Sequence, residues 1–479
     1  MPNARPYRYE ELARFITELV DSGALPPGSR APSLRQISRQ RRISLSGALQ
    51  AYRLLEHRGV LEARPQSGHY VARGGTLRLQ APKASNPPRR ATTVSVSETV
   101  VELLEHAADP SLVPLGCAIP SVELLASGRL DRLLARTARR SGTAYNSYTV
   151  ARGDARLRQE IARRALHWGL VLDPQHIAIT CGCTEALTLA LKAVAAPGDT
   201  VIIESPTYFG LLNTLETLGL RALELPTDSE SGIDLAALEK ALEDPAVKAC
   251  VLASCFNNPL GCTLSEQKKM AVLELLADHG VPLIEDDIYG DIHFGGERPR
   301  PFIALDRRGT TLYCSSFSKT LAPGYRIGWI ATAQHLPRIL EHKLALTLCG
   351  PGLLQAALAE FLASGGYESH LRRLRRVFQT NVEHMIRAID KSFPEGTRVS
   401  RPAGGFVMWV ELPRPLKSRE LLAQALQRGV CFVPGDVFSA GRRFANCLRL
   451  SCGYPWSARI AGALELLGDL ACAAAHERA

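Results

Sequence analysis

The sequence predicts an α/β protein in two parts: an N-terminal winged helix-turn-helix, then a large domain on a mainly parallel sheet. Three observations point there. The 479 residues carry a net charge of +10, and residues 1–90 hold 16 Lys and Arg against 6 Asp and Glu, while the remainder holds 41 of each. All the excess positive charge sits in the first fifth of the chain, the pattern of a nucleic-acid-binding module on a neutral body. The same first fifth shows three short helical periods. From about residue 98, short apolar runs alternate with amphipathic helices.

Composition excludes several classes. The chain is 46% hydrophobic and 22% charged, enough for a large core. No apolar run reaches membrane-spanning length unbroken; the C-terminal stretch carries Glu465 and Asp469. Glu10 and Glu11 stand where a signal peptide would be apolar, so no secretion signal is expected. Of the 12 cysteines, Cys181 and Cys183 are the closest pair, with no Cys-x-x-Cys or His-Glu-x-x-His spacing. This argues against a metal site and a disulfide framework, and free thiols fit the cytoplasm.

The head comes first, with expected bounds 1–72. Leu12, Phe15, Ile16, Leu19 and Val20 share one helix face. The turn residues of Gly23-Ala-Leu-Pro-Pro-Gly28 stop that helix. Ser33 can cap a second helix through about Arg42, and Ser44 a third, with Leu45, Ala48, Leu49, Tyr52 and Leu55 on its buried face. Gly59 ends it, and two strands follow between Val60 and Val71 around Pro65-Gln-Ser-Gly68. In a winged helix the third helix enters the major groove. The candidate DNA-facing residues are Arg30, Ser33, Arg35, Ser44, Leu45, Ser46, Gln50 and Arg64, with Arg39, Arg41 and Arg42 as further phosphate contacts. Basic composition alone also fits a small helical domain with a solvated charged face.

Residues 73–97 carry turn formers and no sustained period, and are expected as a flexible linker. The body, 98–475, opens its strands at Ile177, Thr200, Ala249, Val281 and Thr311. Ligands of such sheets bind at the carboxyl ends of the strands. There stand Gly182-Cys183-Thr184 opening a helix, an anion site; Tyr208, able to stack on a ring; Asn258; and Asp286 with Tyr289. After the last run comes Ser316-Phe-Ser318-Lys319, with Arg326 seven residues on. A lysine amine condenses with a carbonyl. The Ser316 and Ser318 hydroxyls and the Arg326 guanidinium suit a phosphate dianion. One cofactor carries both an aldehyde and a phosphate, pyridoxal 5'-phosphate, and a carboxylate such as Asp286 against its ring nitrogen makes it an electron sink. Asn258 to Asp286 spans 28 residues and Asp286 to Lys319 spans 33, each one βαβ unit.

Two resemblances follow. Pro26-Pro-Gly-Ser-Arg30-Ala-Pro-Ser-Leu-Arg35, Tyr52-Arg-Leu-Leu-Glu-His-Arg-Gly59 and Ser67-Gly-His-Tyr-Val71 resemble the GntR-type DNA-binding domain, although Leu45 replaces a polar or basic residue and Ala31 a usual Leu. Gly182, Tyr208, Asn258, Asp286, Tyr289, Lys319 and Arg326, in this order, resemble the fold type I aminotransferases. That implies a PLP-dependent transferase (fold type I) domain with a smaller C-terminal α+β subdomain. It also implies that Tyr148, with Gly153, reaches the partner subunit's phosphate and that Arg449 clamps a substrate carboxylate. Tyr148-Thr-Val-Ala-Arg152 departs from the family's usual Gly/Asp/Pro filling.

Joined, the two halves resemble the MocR group of bacterial regulators. The resemblance implies a homodimer with double-stranded DNA and a small amine or amino-acid effector as partners. Its body would sense pyridoxal phosphate, an amino compound, or both through aldimine formation at Lys319. The alternative is a catalytically active aminotransferase of amino acids, because every residue that transamination needs is in place.

Overall fold

The computed structural model describes residues 8–57, 60–64, 67–71 and 79–477. The chain divides into two units, Met1–Leu79 and Gln80–Ala479. In the first, helices α1 (Arg8–Asp21), α2 (Leu34–Arg41) and α3 (Leu45–His57) precede an antiparallel ribbon of β1 (Leu61–Arg64) and β2 (Gly68–Val71). Serine caps set the helix starts: Ser33 Oγ accepts the Gln36 N–H and Ser44 Oγ the Gly47 N–H. Ile16, Ala48, Ala51, Tyr52 and Leu55 are fully buried, and the Tyr52 hydroxyl donates to Pro32 O at 2.6 Å. The fully buried Tyr52 phenol is thus satisfied within an apolar core.

Leu45 corrects the expected buried face of α3, being 51% exposed. It occupies the first turn, and Ala51 takes the inward place instead. Gly59, Pro65, Gln66, residues 73–78 and the Arg64 side chain lie outside the described residues.

The second unit is built on a nine-stranded sheet. Its strands are β3 (Thr92–Thr93), β4 (Ile177–Thr180), β5 (Thr200–Ser205), β6 (Arg221–Asp228), β7 (Val247–Leu252), β8 (Leu283–Asp286), β9 (Leu312–Ser316) and β10 (Gly328–Ala331), with Gly232–Ile233 beside β6. The order is β3-β6-β5-β7-β8-β9-β10-β4. The five central strands β6, β5, β7, β8 and β9 are mutually parallel, while β3 and β10 run antiparallel to their neighbours. Every residue of β5 is buried, as a strand covered on both faces requires. Truncating Ile202 at its centre, 0% exposed, would cost about 2–5 kcal/mol.

A smaller antiparallel sheet follows, from β11 (Arg398–Val399), β12 (Val407–Glu411), β13 (Val433–Pro434) and β14 (Cys447–Ser451) in the order β11-β12-β14-β13. It is the C-terminal α+β subdomain that the resemblance implied.

The flexible linker expected over 73–97 is corrected for residues 80–97. Gln80 bridges to Arg398, Ser85 exchanges hydrogen bonds with Thr227, and Thr92–Thr93 adds an edge strand to β6. The Val96 and Ser97 N–H groups both donate to Glu216 Oε2. An edge segment is held through its backbone and needs no hydrophobic period. Among the described residues, no helix is long and apolar enough to cross a membrane and no cluster of His, Cys, Asp and Glu suits a metal.

Candidate functional site

Strand β9 ends at Ser316, and the chain turns through Phe317 to present Lys319. Phe317 anchors the turn in the core, its ring 4.8 Å from that of Trp329. Lys319 Nζ donates to Ala118 O at 2.6 Å. Burial, and after it the Arg449 charge, lower its pKa to about 8, while Cys117 and Asp286 pull the other way. A buried lysine of this kind is uncharged, and so nucleophilic, over a wider pH range than a surface one.

Helix α4 (Gly182–Val194) starts directly after β4. Its first N–H groups, from Gly182, Cys183 and Thr184, have no carbonyl partner within the helix and lie at the positive end of its dipole. Gly182 has φ +80°, and a Cβ there would fall 2.4 Å from Arg326 Nη2. Arg326 donates to Cys181 O at 3.2 Å and Ser318 Oγ at 3.5 Å, while Ser316 Oγ accepts the Ser318 N–H. Gly182, Ser316, Ser318 and Arg326 therefore form one small cationic cradle.

Asp286 closes β8. Burial raises its pKa to about 6, against a hydrogen bond from Cys183 Sγ at 3.6 Å that lowers it. Tyr208, Asn258, Asp286 and Tyr289 line one small cavity. Gly210 leaves room for the Tyr208 ring, which a Cβ at 210 would strike at 2.4 Å. Arg449 rises from β14 and is 1% exposed. Its guanidinium donates to Asn258 Oδ1 at 3.3 Å and to Gly116 O, and lies 5.6 Å from the Phe438 ring centre.

The crevice thus brings together Lys319, Asp286, Tyr208, Asn258, Tyr289 and Arg449, beside the cradle. Tyr148 differs from them in being 83% exposed. Two neighbours went unforeseen. Glu204, at the end of β5, accepts from Asn257 Nδ2 at 2.9 Å and the Ala253 N–H at 3.0 Å, and burial raises its pKa to about 7. Cys117 lies close enough to Lys319 and Arg449 for their charges to oppose the rise that burial gives its thiol. Glu204 immediately precedes Ser205-Pro-Thr-Tyr208, which was the available signal; Cys117 had none.

These residues fit pyridoxal phosphate. There is an amine for its aldehyde, a carboxyl for its ring nitrogen and a cradle for its phosphate. The buried Tyr289 hydroxyl and Arg449 Nε have no hydrogen-bond partner among the described residues, and buried polar atoms are rarely left so.

In the head, Arg30, Ser33, Arg35, Ser44, Leu45, Ser46 and Gln50 are all exposed. The Arg30 guanidinium lies beside the ribbon, 3.5 Å from where a Cβ on Gly68 would sit. Arg39, Arg41 and Arg42 are exposed, and Arg41 in addition stacks on the Phe15 ring at 3.3 Å.

A winged helix-turn-helix joined to a sheet with this crevice defines a class: a DNA-binding head on an aminotransferase-like body. The chain belongs to the aminotransferase class I and II family, matched over residues 123–458, and its head matches the gntR family of bacterial regulatory proteins over residues 8–71. It is 40% identical over 463 residues to the uncharacterized HTH-type transcriptional regulator YdcR of Escherichia coli, covering 97% of this chain and 98% of YdcR. It is 28% identical to the probable rhizopine catabolism regulatory protein MocR of Rhizobium meliloti, over 89% of this chain and 85% of that one. Among solved structures, the multiple substrate aminotransferase of Thermococcus profundus superposes with a TM-score of 0.74 at 26% identity, covering 79% of this chain and 95% of that one. The class I and II aminotransferase fold family is pyridoxal phosphate-dependent.

Proposed function

We propose that this chain is a DNA-binding transcriptional regulator whose aminotransferase-like body holds pyridoxal phosphate and senses it, an amino compound, or both. The observation that carries the reading is Lys319: a buried amine of lowered basicity, electrostatically coupled to Asp286, Arg326 and Arg449, in a chain with a gntR-type head. Bound there, pyridoxal phosphate supplies an aldehyde that condenses with primary amines.

Lys319 would hold the aldehyde, and its amine is the group that an effector amine would have to replace. Asp286 would keep the ring nitrogen protonated. The N–H groups of Gly182, Cys183 and Thr184, with Ser316, Ser318 and Arg326, hold the phosphate. Tyr208 would lie against the ring, and Asn258 and Tyr289 would serve its oxygen. Arg449 grips the carboxylate of an amino-acid effector. The charge and shape of the effector then favour one arrangement of the body over another, and only this differential affinity can alter DNA binding.

The chain works as a homodimer in the cytoplasm, with two heads for two half-sites. Tyr148, Val150, Leu344, Leu346 and Leu348 are exposed apolar residues, and Thr149 Oγ1 ties their two segments together by donating to Gly350 O at 3.3 Å. Such a patch supports a partner subunit.

The test compares wild type with Lys319→Ala on the DNA upstream of the chain's own gene and on an unrelated fragment, with and without pyridoxal phosphate. Selective binding that changes with the cofactor in wild type and is insensitive to it in the variant supports the reading. Binding equal on both fragments, with amino-acid turnover by wild type, would favour a working aminotransferase.

A further inference from the structure

The body contains a second cleft, of about 590 Å³, apart from the residues that line the Lys319 crevice. That volume suits a small-molecule ligand. Its walls carry Lys83, Arg414, Lys417, Arg442 and Arg443 against one carboxylate, Glu411. Glu411 Oε2 already accepts the Lys83 backbone N–H at 2.9 Å, and Lys417 is paired with Glu420 at 3.5 Å. Arg443 lies near buried Glu224, but that carboxylate is held by the Ser205 and Ser439 hydroxyls at 3.1 Å each. Among the described residues, Lys83, Arg414, Arg442 and Arg443 form no ion pair with a carboxylate.

Like charges gathered at one concavity repel unless an anion joins them. The loop presenting two of them holds Arg442 at φ 51° and Phe444 at φ 60°, conformations unfavourable for residues with a Cβ. Such strain clusters at ligand sites. Three guanidinium forks with a lysine match phosphate or carboxylate oxygens.

The cleft also shares walls with the crevice. Pro206 and Leu260 line the cleft, while Tyr208 and Asn258, two residues away in the same loops, line the crevice cavity. Trp409 on the cleft wall is the cross-strand partner of Arg449.

We propose that this cleft binds a small organic anion of two or more negative charges, a phosphomonoester or a polycarboxylate, and that filling it changes the affinity of the crevice. The second half rests on the reading of the crevice as a pyridoxal phosphate site; the first does not.

The experiment is calorimetric titration of the full-length chain, at constant ionic strength in a buffer free of phosphate and carboxylates. The probes are glycerol 3-phosphate, citrate and, as neutral control, glycerol. Saturable binding of an anion but not of glycerol is expected, weakened at least about tenfold by Arg414→Gln and by Arg443→Gln. The anion that binds identifies the class, and binding of both assigns recognition to charge. Thermal unfolding checks that each variant is folded. No saturable binding of either anion at millimolar concentration overturns the site, as does full retention by both variants. Variants that lose only DNA affinity and its salt dependence also overturn it, since the cations would then serve duplex phosphates. Pyridoxal phosphate is then titrated with and without the saturating anion. An unchanged Kd overturns the linkage alone, and failure of pyridoxal phosphate to bind at all counts against the crevice reading instead.

Discussion

A Cβ placed on Gly182 would lie 2.4 Å from Nη2 of Arg326. The glycine therefore sets where the guanidinium sits, and the guanidinium is held there by Cys181 O and Ser318 Oγ. Gly182→Ala meets two obstacles at once. Its φ of +80° costs a residue with a side chain about 1–2 kcal/mol, and the arginine must leave the cradle. Stability in denaturant titration should fall by about that amount. Pyridoxal phosphate affinity should fall at least about tenfold. An affinity equal to wild type would remove the cradle from the phosphate site.

Lys319 sets the second prediction. Its pKa is lowered to about 8, so the free amine predominates above that pH. The rate of covalent capture of pyridoxal phosphate, trapped by borohydride and located by mass spectrometry, should rise with a midpoint near pH 8 and then level. An ordinary lysine would still be gaining at pH 10. Burial is the larger cause and the Arg449 charge the next. Arg449→Gln should therefore move the midpoint upward. A midpoint that does not move would show that Arg449 is electrostatically remote from the amine.

The crevice was legible because its parts lie at strand ends, where chain order and βαβ spacing already group them. Asp286 and Lys319 could be placed from the apolar runs before them. Arg449 could not be placed from spacing, because it comes from a different sheet and reaches Asn258 only through the packing of β14; only the family resemblance named it. Glu204 was hidden in another way: it falls inside a strand that reads as apolar, and its one signal was the Ser205-Pro-Thr-Tyr208 segment that follows it. The linker was misread over 80–97 because edge pairing satisfies backbone groups without leaving a hydrophobic period in the sequence.

Glu204 gives the third prediction. Burial raises its folded-state pKa from 4.5 to about 7, so the folded chain binds this proton more tightly than the unfolded one. The stability gained is complete below about pH 4.5 and is lost as pH rises through 7. Glu204→Gln does not titrate and should flatten this part of the stability profile, by up to roughly 3 kcal/mol between the two ends. Unfolding free energies of both proteins at pH 5 and pH 8 measure it. Parallel profiles would mean that Glu204 stays ionised in the fold.

The head supplies the last prediction, a contrast between two arginines on one helix. Both are exposed on α2, but Arg35 has no aromatic partner among the described residues, whereas Arg41 stacks on Phe15 at 3.3 Å. A guanidinium held on an aromatic face contributes about 0.5–1 kcal/mol at an exposed site, a contact it would have to give up to reach a phosphate. Arg35→Gln should leave stability unchanged and reduce the salt slope of DNA binding by about 0.9, one phosphate contact, uniformly across sequences. Arg41→Gln should lower stability and leave that slope in place. Leu45→Ala, at a side chain 51% exposed on the first turn of α3, should change neither but should alter the ranking of operator variants, since an apolar group there can meet only a base edge or a thymine methyl. Salt titrations by fluorescence anisotropy on matched and mismatched duplexes, with denaturant melts of each variant, separate the three. If Arg41→Gln carried the slope change and Arg35→Gln the stability change, the helix would be turned the other way against DNA.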